Sequence, residues 1–451
     1  MGRYPGRRIG KRLIGVGLAA AVAFVLPSVL AGCGGGGGML SSIKNPFAED
    51  EERLPGERIA VITDPGEFNS TQIVPRPVSL PPAKVNASWT QPGGTPSNNL
   101  GHLALSGSLR QVWSADAGTG SSSSGRLSAV PLVAGGKVFT LDAGGRVSAF
   151  SASNGAKAWS TSLTPENEKR AEGFGGGLAL EGGTLYAATG YGTVVAIEPG
   201  SGAVQWTKRL GEPVRNAPTA AAGKIFFVST DSNLYAVSAG SGEVVWKKRG
   251  LPQAATLLSN ASPAVAGGVV VAPFPAGDVI AYQTGSGEQA WRDSLTRSSG
   301  ASASGVLGDP ARPVVDRGVV YAVSHGGRMV ATSLASGARV WTRNIASTQM
   351  PWVAGDTIFV VDVSGRLMAL GRNDGQARWV AELPSSRWSG PVLAGNQVWV
   401  ISSKGVLMGV DARSGQVTSQ IDLDEDVFVA PVVAGGRMYI ITDDAELIAL
   451  N

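Results

Sequence analysis

The chain has 451 residues, only 16% of them charged, and its 38 basic and 34 acidic residues give a formal net charge of +4. Five of the bases and none of the acids precede Cys33; without that segment 33 bases face 34 acids, a net charge of −1, which removes the basic surface that nucleic-acid binding requires. One cysteine excludes an intramolecular disulfide, and two histidines exclude a histidine-based metal cluster.

Residues 1–32 read as a secretory signal: Arg3, Arg7, Arg8, Lys11 and Arg12 precede an apolar stretch from Leu13 to Leu30 with small residues at its end. Leu30-Ala31-Gly32-Cys33 resembles the bacterial lipoprotein box, cut before a cysteine that then carries lipid, so Cys33 is the expected site of lipid attachment and palmitate a component of the anchor. Gly34, rather than aspartate, follows; in enteric-type sorting that directs a lipoprotein to the outer membrane. Gly34 to Gly38 is a flexible tether, and no Lys-Ser/Thr follows to make it a phosphate loop. Residues 33–88 continue as a Gly/Pro-rich arm, with Ile59 to Ile62 its most strand-like piece.

Residues 89–451 contain one sentence written eight times. A clean copy runs Ala129-Val130-Pro131-Leu132-Val133-Ala134-Gly135-Gly136, then Lys137 to Leu141, then Arg146 to Phe150, and closes at Gly155-Ala156-Lys157-Ala158-Trp159. Each copy predicts four strands. The first holds a proline (Pro131, Pro218, Pro263, Pro313, Pro351, Pro391, Pro431), which cannot donate to a ladder and so belongs on the inner edge lining a central channel. The second, such as Ile225 to Val228, is apolar on both faces and therefore buried on both. The third carries a small residue at a fixed place (Ala149, Ala196, Ala236, Ala281, Ala331, Ala369, Gly409, Ala449), expected to let neighbouring sheets approach. The fourth carries the tryptophan of Gly-x-x-x-Trp, at Trp159, Trp206, Trp246, Trp291, Trp341 and Trp379, expected to dock blade against blade. A period near forty of strand-like segments predicts an all-β fold, an eight-bladed β-propeller of four-stranded antiparallel blades.

The eighth copy stops after its third strand at Asn451, while an orphan fourth strand, Leu109 to Trp113, precedes the first copy. Pairing the two closes the ring and covers edges otherwise left open. The second copy lacks the proline, and the seventh has Gln420 near the expected tryptophan. Trp352 and Trp388, beside first-strand prolines, are placed to reach the channel mouth.

The phrase Glu198-Pro199-Gly200-Ser201-Gly202-Ala203-Val204-Gln205-Trp206 resembles the tryptophan-docking repeat of pyrroloquinoline quinone (PQQ) propellers. With the lipoprotein box, the period and the segment Trp89-Thr90-Gln91-Pro92-Gly93-Gly94, the chain resembles the BamB lipoproteins of the outer-membrane β-barrel assembly machinery. That resemblance implies a non-enzymatic scaffold without cofactor or metal, on the periplasmic face of the outer membrane. Its implied partners are the periplasmic domains of a BamA-like insertase and unfolded outer-membrane proteins. It also implies an insertase-facing surface on two loops, Gln253 to Ser262 with Leu257 and Leu258, and Ala303 to Arg312 with Asp309 and Arg312. The family's Leu-x-Leu-Arg appears here as Ala255-Thr256-Leu257-Leu258, and its paired aspartates are reduced to Asp309.

Two other readings compete. A quinoprotein dehydrogenase shares the repeat, but in that group a calcium held by an acid and an amide, an aspartate base and, in many members, an adjacent cysteine pair serve the quinone; this chain has one cysteine and no long inter-blade insertion. A glycan-binding envelope lipoprotein has no motif in its favour. His325 sits in a Ser-His-Gly-Gly turn without a visible partner, and Asp422, Asp424, Glu425, Asp426, Asp443 and Asp444 lack EF-hand spacing. Cys33→Ser is expected to leave an unprocessed, unlipidated precursor, seen as slower gel migration and loss of detergent partitioning; normal processing of that variant contradicts the lipoprotein reading.

Overall fold

The computed structural model describes residues 73–106, 108–123, 125–169, 173–251, 261–296, 309–385 and 387–451. The signal segment, Cys33, the glycine run, Ile59 to Ile62, Leu257 and Leu258 lie outside them. The described strands form eight four-stranded antiparallel sheets, and among the described residues there is no α-helix. Blade 1 is built from Leu132–Ala134, Lys137–Leu141, Arg146–Ser151 and Lys157–Ser162, in that order from the channel outward. Blades 2 to 7 repeat the plan. Blade 8 joins Val432–Ala434, Arg437–Ile441 and Glu446–Leu450 to Gln111–Asp116, with Trp113 opposite Ala449 and Asp116 opposite Glu446. The ring is therefore closed by an N-terminal strand pairing with the C-terminal blade.

The prolines stand immediately before the first strands rather than inside them: Pro131 precedes Leu132–Ala134 and Pro431 precedes Val432–Ala434. A residue without an N–H cannot enter the ladder, so pairing begins one residue later. Pro391 is the exception, within Trp388–Ala394, and there the register breaks between Ser389 and Val392.

The small residue of the third strand has a more specific role than spacing the sheets. Ala149 lies opposite Phe139 on one side and Trp159 on the other. The two rings meet over its methyl group with centroids 6.0 Å apart, tilted by 43°. The same bridge recurs as Tyr186–Trp206, Phe226–Trp246, Tyr321–Trp341, Phe359–Trp379 and, across the closure, Tyr439–Trp113. Any larger third-strand side chain would part these pairs.

Each tryptophan then reaches into the following blade. Trp113 Nε1 donates to the Ala152 carbonyl, Trp159 to Pro199, Trp206 to Ala239, Trp246 to Thr284, Trp291 to Leu334, Trp341 to Arg372 and Trp379 to Ala412. Its ring lies on the glycine of the next Gly-x-x-x-Trp: a Cβ on Gly242 would stand 2.7 Å from the Trp206 ring, and one on Gly415 2.7 Å from Trp379. The glycine and the tryptophan of one motif thus serve two different junctions, the glycine receiving a ring and the tryptophan offering one.

This explains the irregular seventh copy. The position opposite Gly409 is Ser419, not Gln420. A ring at 419 would need a receiving turn in blade 8, where instead the chain ends meet, Arg110 and Asn451 exchanging backbone hydrogen bonds of 3.0 and 2.9 Å. With no turn to receive it, the tryptophan is absent. Trp399 on the second strand fills blade 7 instead, packed against Gly409, where an added Cβ would stand 3.0 Å from its ring.

Residues 84–104 close one end of the channel. Asn86 bonds Val433 and Gly435 of blade 8, and Trp89 exchanges backbone bonds with Val133 of blade 1. Thr90 and Gln91 bond Leu180 of blade 2, and the Gln91 amide both donates to and accepts from Ala220 of blade 3. Pro96 and Ser97 receive the Val265 and Val315 N–H groups of blades 4 and 5, Gly101 receives the Trp352 indole of blade 6, and Leu103 bonds Leu393 and Gly395 of blade 7. All eight inner edges, which a propeller leaves unpaired, are engaged by this one segment. Trp352 stacks on Trp89 at 6.0 Å in this plug, at the closed end. Trp388 is also buried and does not line the open end, so neither tryptophan reaches the mouth. His102 donates from Nδ1 to Pro81 and accepts at Nε2 from the Asn396 N–H, which fixes its neutral tautomer.

Gly242→Ala is expected to cost about 2–4 kcal/mol, because alanine must adopt a left-handed backbone and overlap an immovable ring. At its φ of +74° the added methyl would stand 2.7 Å from Trp206, the tryptophan that blade 2 lays on blade 3. Urea unfolding measures the loss, with Gly240→Ala, where nothing stands within 4 Å, as the control.

Candidate functional site at the open mouth of the channel

Among the described residues the opposite end of the channel is open. There the segments leading into the first strands converge on a cavity of about 450 Å³. These segments are set by the strand start, not by ladder pairing, so the copies are free to differ in them. Three differ by contributing arginine: Arg126 ahead of blade 1, Arg215 ahead of blade 3 and Arg312 ahead of blade 5.

The three cations are held differently. Arg126 lies 3.6 Å from Asp443 and over the Phe428 ring at 5.4 Å. Arg215 stacks on Phe174 at 4.3 Å. Arg312 has neither support: among the described residues its Nε is buried without a hydrogen-bond partner and no carboxylate pairs with it. Burial pulls its pKa down to about 10, so the guanidinium remains charged at neutral pH. Asp309 lines the same cavity, is 2% exposed, and accepts the His325 N–H at its backbone carbonyl, 3.0 Å away. His325 is thus a half-buried turn residue whose Nδ1 has no hydrogen-bond partner among the described residues.

Of the residues singled out in the sequence, the fold brings Asp309 and Arg312 into one cavity, and it keeps the seven docking tryptophans at the blade junctions, away from it. Arg126 and Arg215 escaped sequence reasoning. The available signal was position, since Arg215 and Arg312 stand three residues and one residue before the prolines Pro218 and Pro313. The acids near the C-terminus are occupied otherwise: Asp426 pairs with Lys404, Asp422 caps its own turn, and Asp443 holds Arg126 and Ser121. Among the described residues no three His, Cys, Asp or Glu side chains group as metal ligands.

Glu212 braces the rim. Burial alone would raise its pKa, but hydrogen bonds from Lys247, Ser229 (2.7 Å) and Asn233 (2.9 Å) outweigh that and hold it at about 2. A carboxylate depressed in the folded state contributes stability above its unfolded pKa and loses it as pH falls through the folded value. The wild type is therefore expected to lose about 1 kcal/mol between pH 4.5 and 2 through this group, after discounting for its partly exposed lysine partner. Glu212→Gln should remove that part of the pH dependence in urea titrations.

Comparison with known proteins gives consistent matches. The family profile described as outer membrane protein assembly factor BamB matches residues 97–174, 167–381 and 372–451. Outer membrane protein assembly factor BamB of Bordetella pertussis is 27% identical over 195 residues, covering 43% of this chain and 47% of the relative. The matched part thus spans about half of that protein. The crystal structure of BamB from Moraxella catarrhalis superposes with a TM-score of 0.61 at 17% identity, covering 76% of this chain and 98% of that one. Quinohemoprotein alcohol dehydrogenase from Comamonas testosteroni superposes with a TM-score of 0.65 at 12% identity, covering 82% and 81%. At such identities the two structures share the fold alone. Because the profile spans the propeller from residue 97 to the final residue, the chain belongs to the outer membrane protein assembly factor BamB family of PQQ-like repeat propellers.

Proposed function

We propose that the chain is a non-enzymatic scaffold of the outer-membrane β-barrel assembly machinery. In this reading residues 1–32 are removed, lipid on Cys33 holds the protein at the periplasmic face of the outer membrane, and residues 33–88 lead to the propeller at 89–451. The observation that carries it is the family profile across residues 97–451. Its partners are the periplasmic domains of the insertase and unfolded outer-membrane proteins.

Two surfaces support binding. Of the two loops proposed to face the insertase, the second carries Asp309 and Arg312, which sit in the cavity, so a partner side chain must enter the mouth to meet them; Leu257 and Leu258 of the first lie outside the described residues. The outer edges of the blades offer extended backbone with exposed valines, including Val112, Val204, Val245, Val340 and Val417. Strand addition there gives sequence-tolerant recognition of unfolded β-strands. The protein supplies its own precedent: Val74 N–H donates to Ala377 on the outer strand of blade 6, at 2.9 Å.

Quinone-dependent oxidation fits the residues poorly. The mouth carboxylate Asp443 is tied to Arg126 and Ser121, no three-ligand cluster occurs among the described residues, and one cysteine cannot make an adjacent pair. Pull-down from detergent-solubilised membranes tests the proposal: the insertase should co-purify, and Leu257→Asp with Leu258→Asp should lower its capture about tenfold at unchanged melting temperature. A quinone absorption band with dye-linked alcohol oxidation would overturn the scaffold reading.

A further inference from the structure

We propose that the open mouth is a binding site for a small organic oxyanion, a carboxylate or phosphate on an apolar body, anchored by Arg312. Three guanidinium groups and two carboxylates line one cavity, and one carboxylate, Asp443, is already matched to Arg126. Arg215 stacks on Phe174, and among the described residues Arg312 has neither an ion-pair partner nor a ring beneath it. A guanidinium carries five donors in a fork that suits two oxygens of one anion, and burying it without partners is unfavourable unless something supplies them. Its Nε is turned away from solvent and, among the described residues, from every acceptor, so the ligand's oxygens would meet the part of Arg312 that lines the cavity.

The rest of the cavity fits the remainder of such a ligand. Phe174 and Phe428, each backed by an arginine, and Met350 present apolar surface beside the cations. The volume of about 450 Å³ lies in the range of small-ligand sites, roughly 300–1,000 Å³. A recessed guanidinium in a concave cavity favours a small molecule over a flat protein surface. Arg312 also belongs to the loop proposed to face the insertase, so the small anion and a partner carboxylate would compete for it.

The test uses mature full-length protein in detergent, titrated calorimetrically with phenyl phosphate, benzoate, inorganic phosphate and neutral benzyl alcohol. Phenyl phosphate and benzoate should bind, benzyl alcohol should not, and inorganic phosphate should bind more weakly than phenyl phosphate. Arg312→Met should weaken phenyl phosphate at least about tenfold while melting at the same or a higher temperature, since an unpaired cation is gone. Arg312→Lys keeps the charge and loses the fork, and should weaken binding about fivefold; it serves alone if the methionine variant does not fold. No binding of either organic anion at about 10 mM, or equal binding by both variants and wild type, overturns the proposal. Loss of insertase capture by Arg312→Met, with no small anion bound by wild type, overturns it in favour of a partner carboxylate.

Discussion

The tryptophan laid on the next blade's glycine is the contact on which the rest of the molecule depends. Each indole does three things at once. It packs over a small third-strand residue, in six of the seven cases against an aromatic ring of its own blade, covers a positive-φ glycine of the next, and donates its N–H to a carbonyl there. The glycine is required twice over, because its φ is left-handed and because a Cβ would occupy the ring's place. A blade therefore cannot complete its own core; its neighbour supplies part of it. Such a contact can be repeated around a ring only until the chain ends interrupt it, and the junction between blades 7 and 8 is where that happens. There Ser419 replaces tryptophan, Trp399 moves the bulk to the second strand, and the seam is held by Gln111–Asp116 along Glu446–Leu450.

A ring built this way leaves eight unpaired inner edges around its axis. Unpaired backbone groups near a dry interior are costly, and a narrow channel cannot hydrate all of them well. Residues 84–104 answer that need at one end, supplying backbone groups, the Gln91 and Asn98 amides and a stacked tryptophan pair. The cost is symmetry. With one end filled by the chain itself, the opposite end is the face at which the axis stays accessible, and side chains from blades that are far apart in sequence meet there.

The mouth follows a different logic from the body. The blades bury charge in fixed pairs such as Arg292–Asp278, Arg339–Asp293, Arg366–Asp362 and Arg372–Asp316, while the mouth gathers three arginines, two aspartates and the tightly bonded Glu212 behind them. Most of this charge is arranged to be satisfied: Arg126 by Asp443 and Phe428, Arg215 by Phe174, Glu212 by Lys247, Ser229 and Asn233. Arg312 is the departure. A fold that matches its charges so consistently elsewhere leaves this one lining the cavity.

Blade number, strand order and the closing strand were legible in the sequence because each is imposed by local chemistry repeated eight times. Glycine marks the left-handed turn, proline marks where a ladder cannot begin, and continuous apolar runs mark doubly buried strands. The residues Asp309 and Arg312 were reachable only through family resemblance, and Leu257 and Leu258 lie outside the described residues. Arg126 and Arg215 could not be joined to them, because nothing local relates positions 126, 215 and 312 until the ring closes. For the same reason the plug was unreadable: Trp89, Gln91 and Leu103 look like loop residues, and their hydrogen-bond partners lie on the first strands of four different blades. The sequence by itself determined the blade and its repetition, since those depend on neighbours along the chain. Only the tertiary structure decided which end of the channel is filled and which charges meet at the other, since those depend on residues brought together by closure.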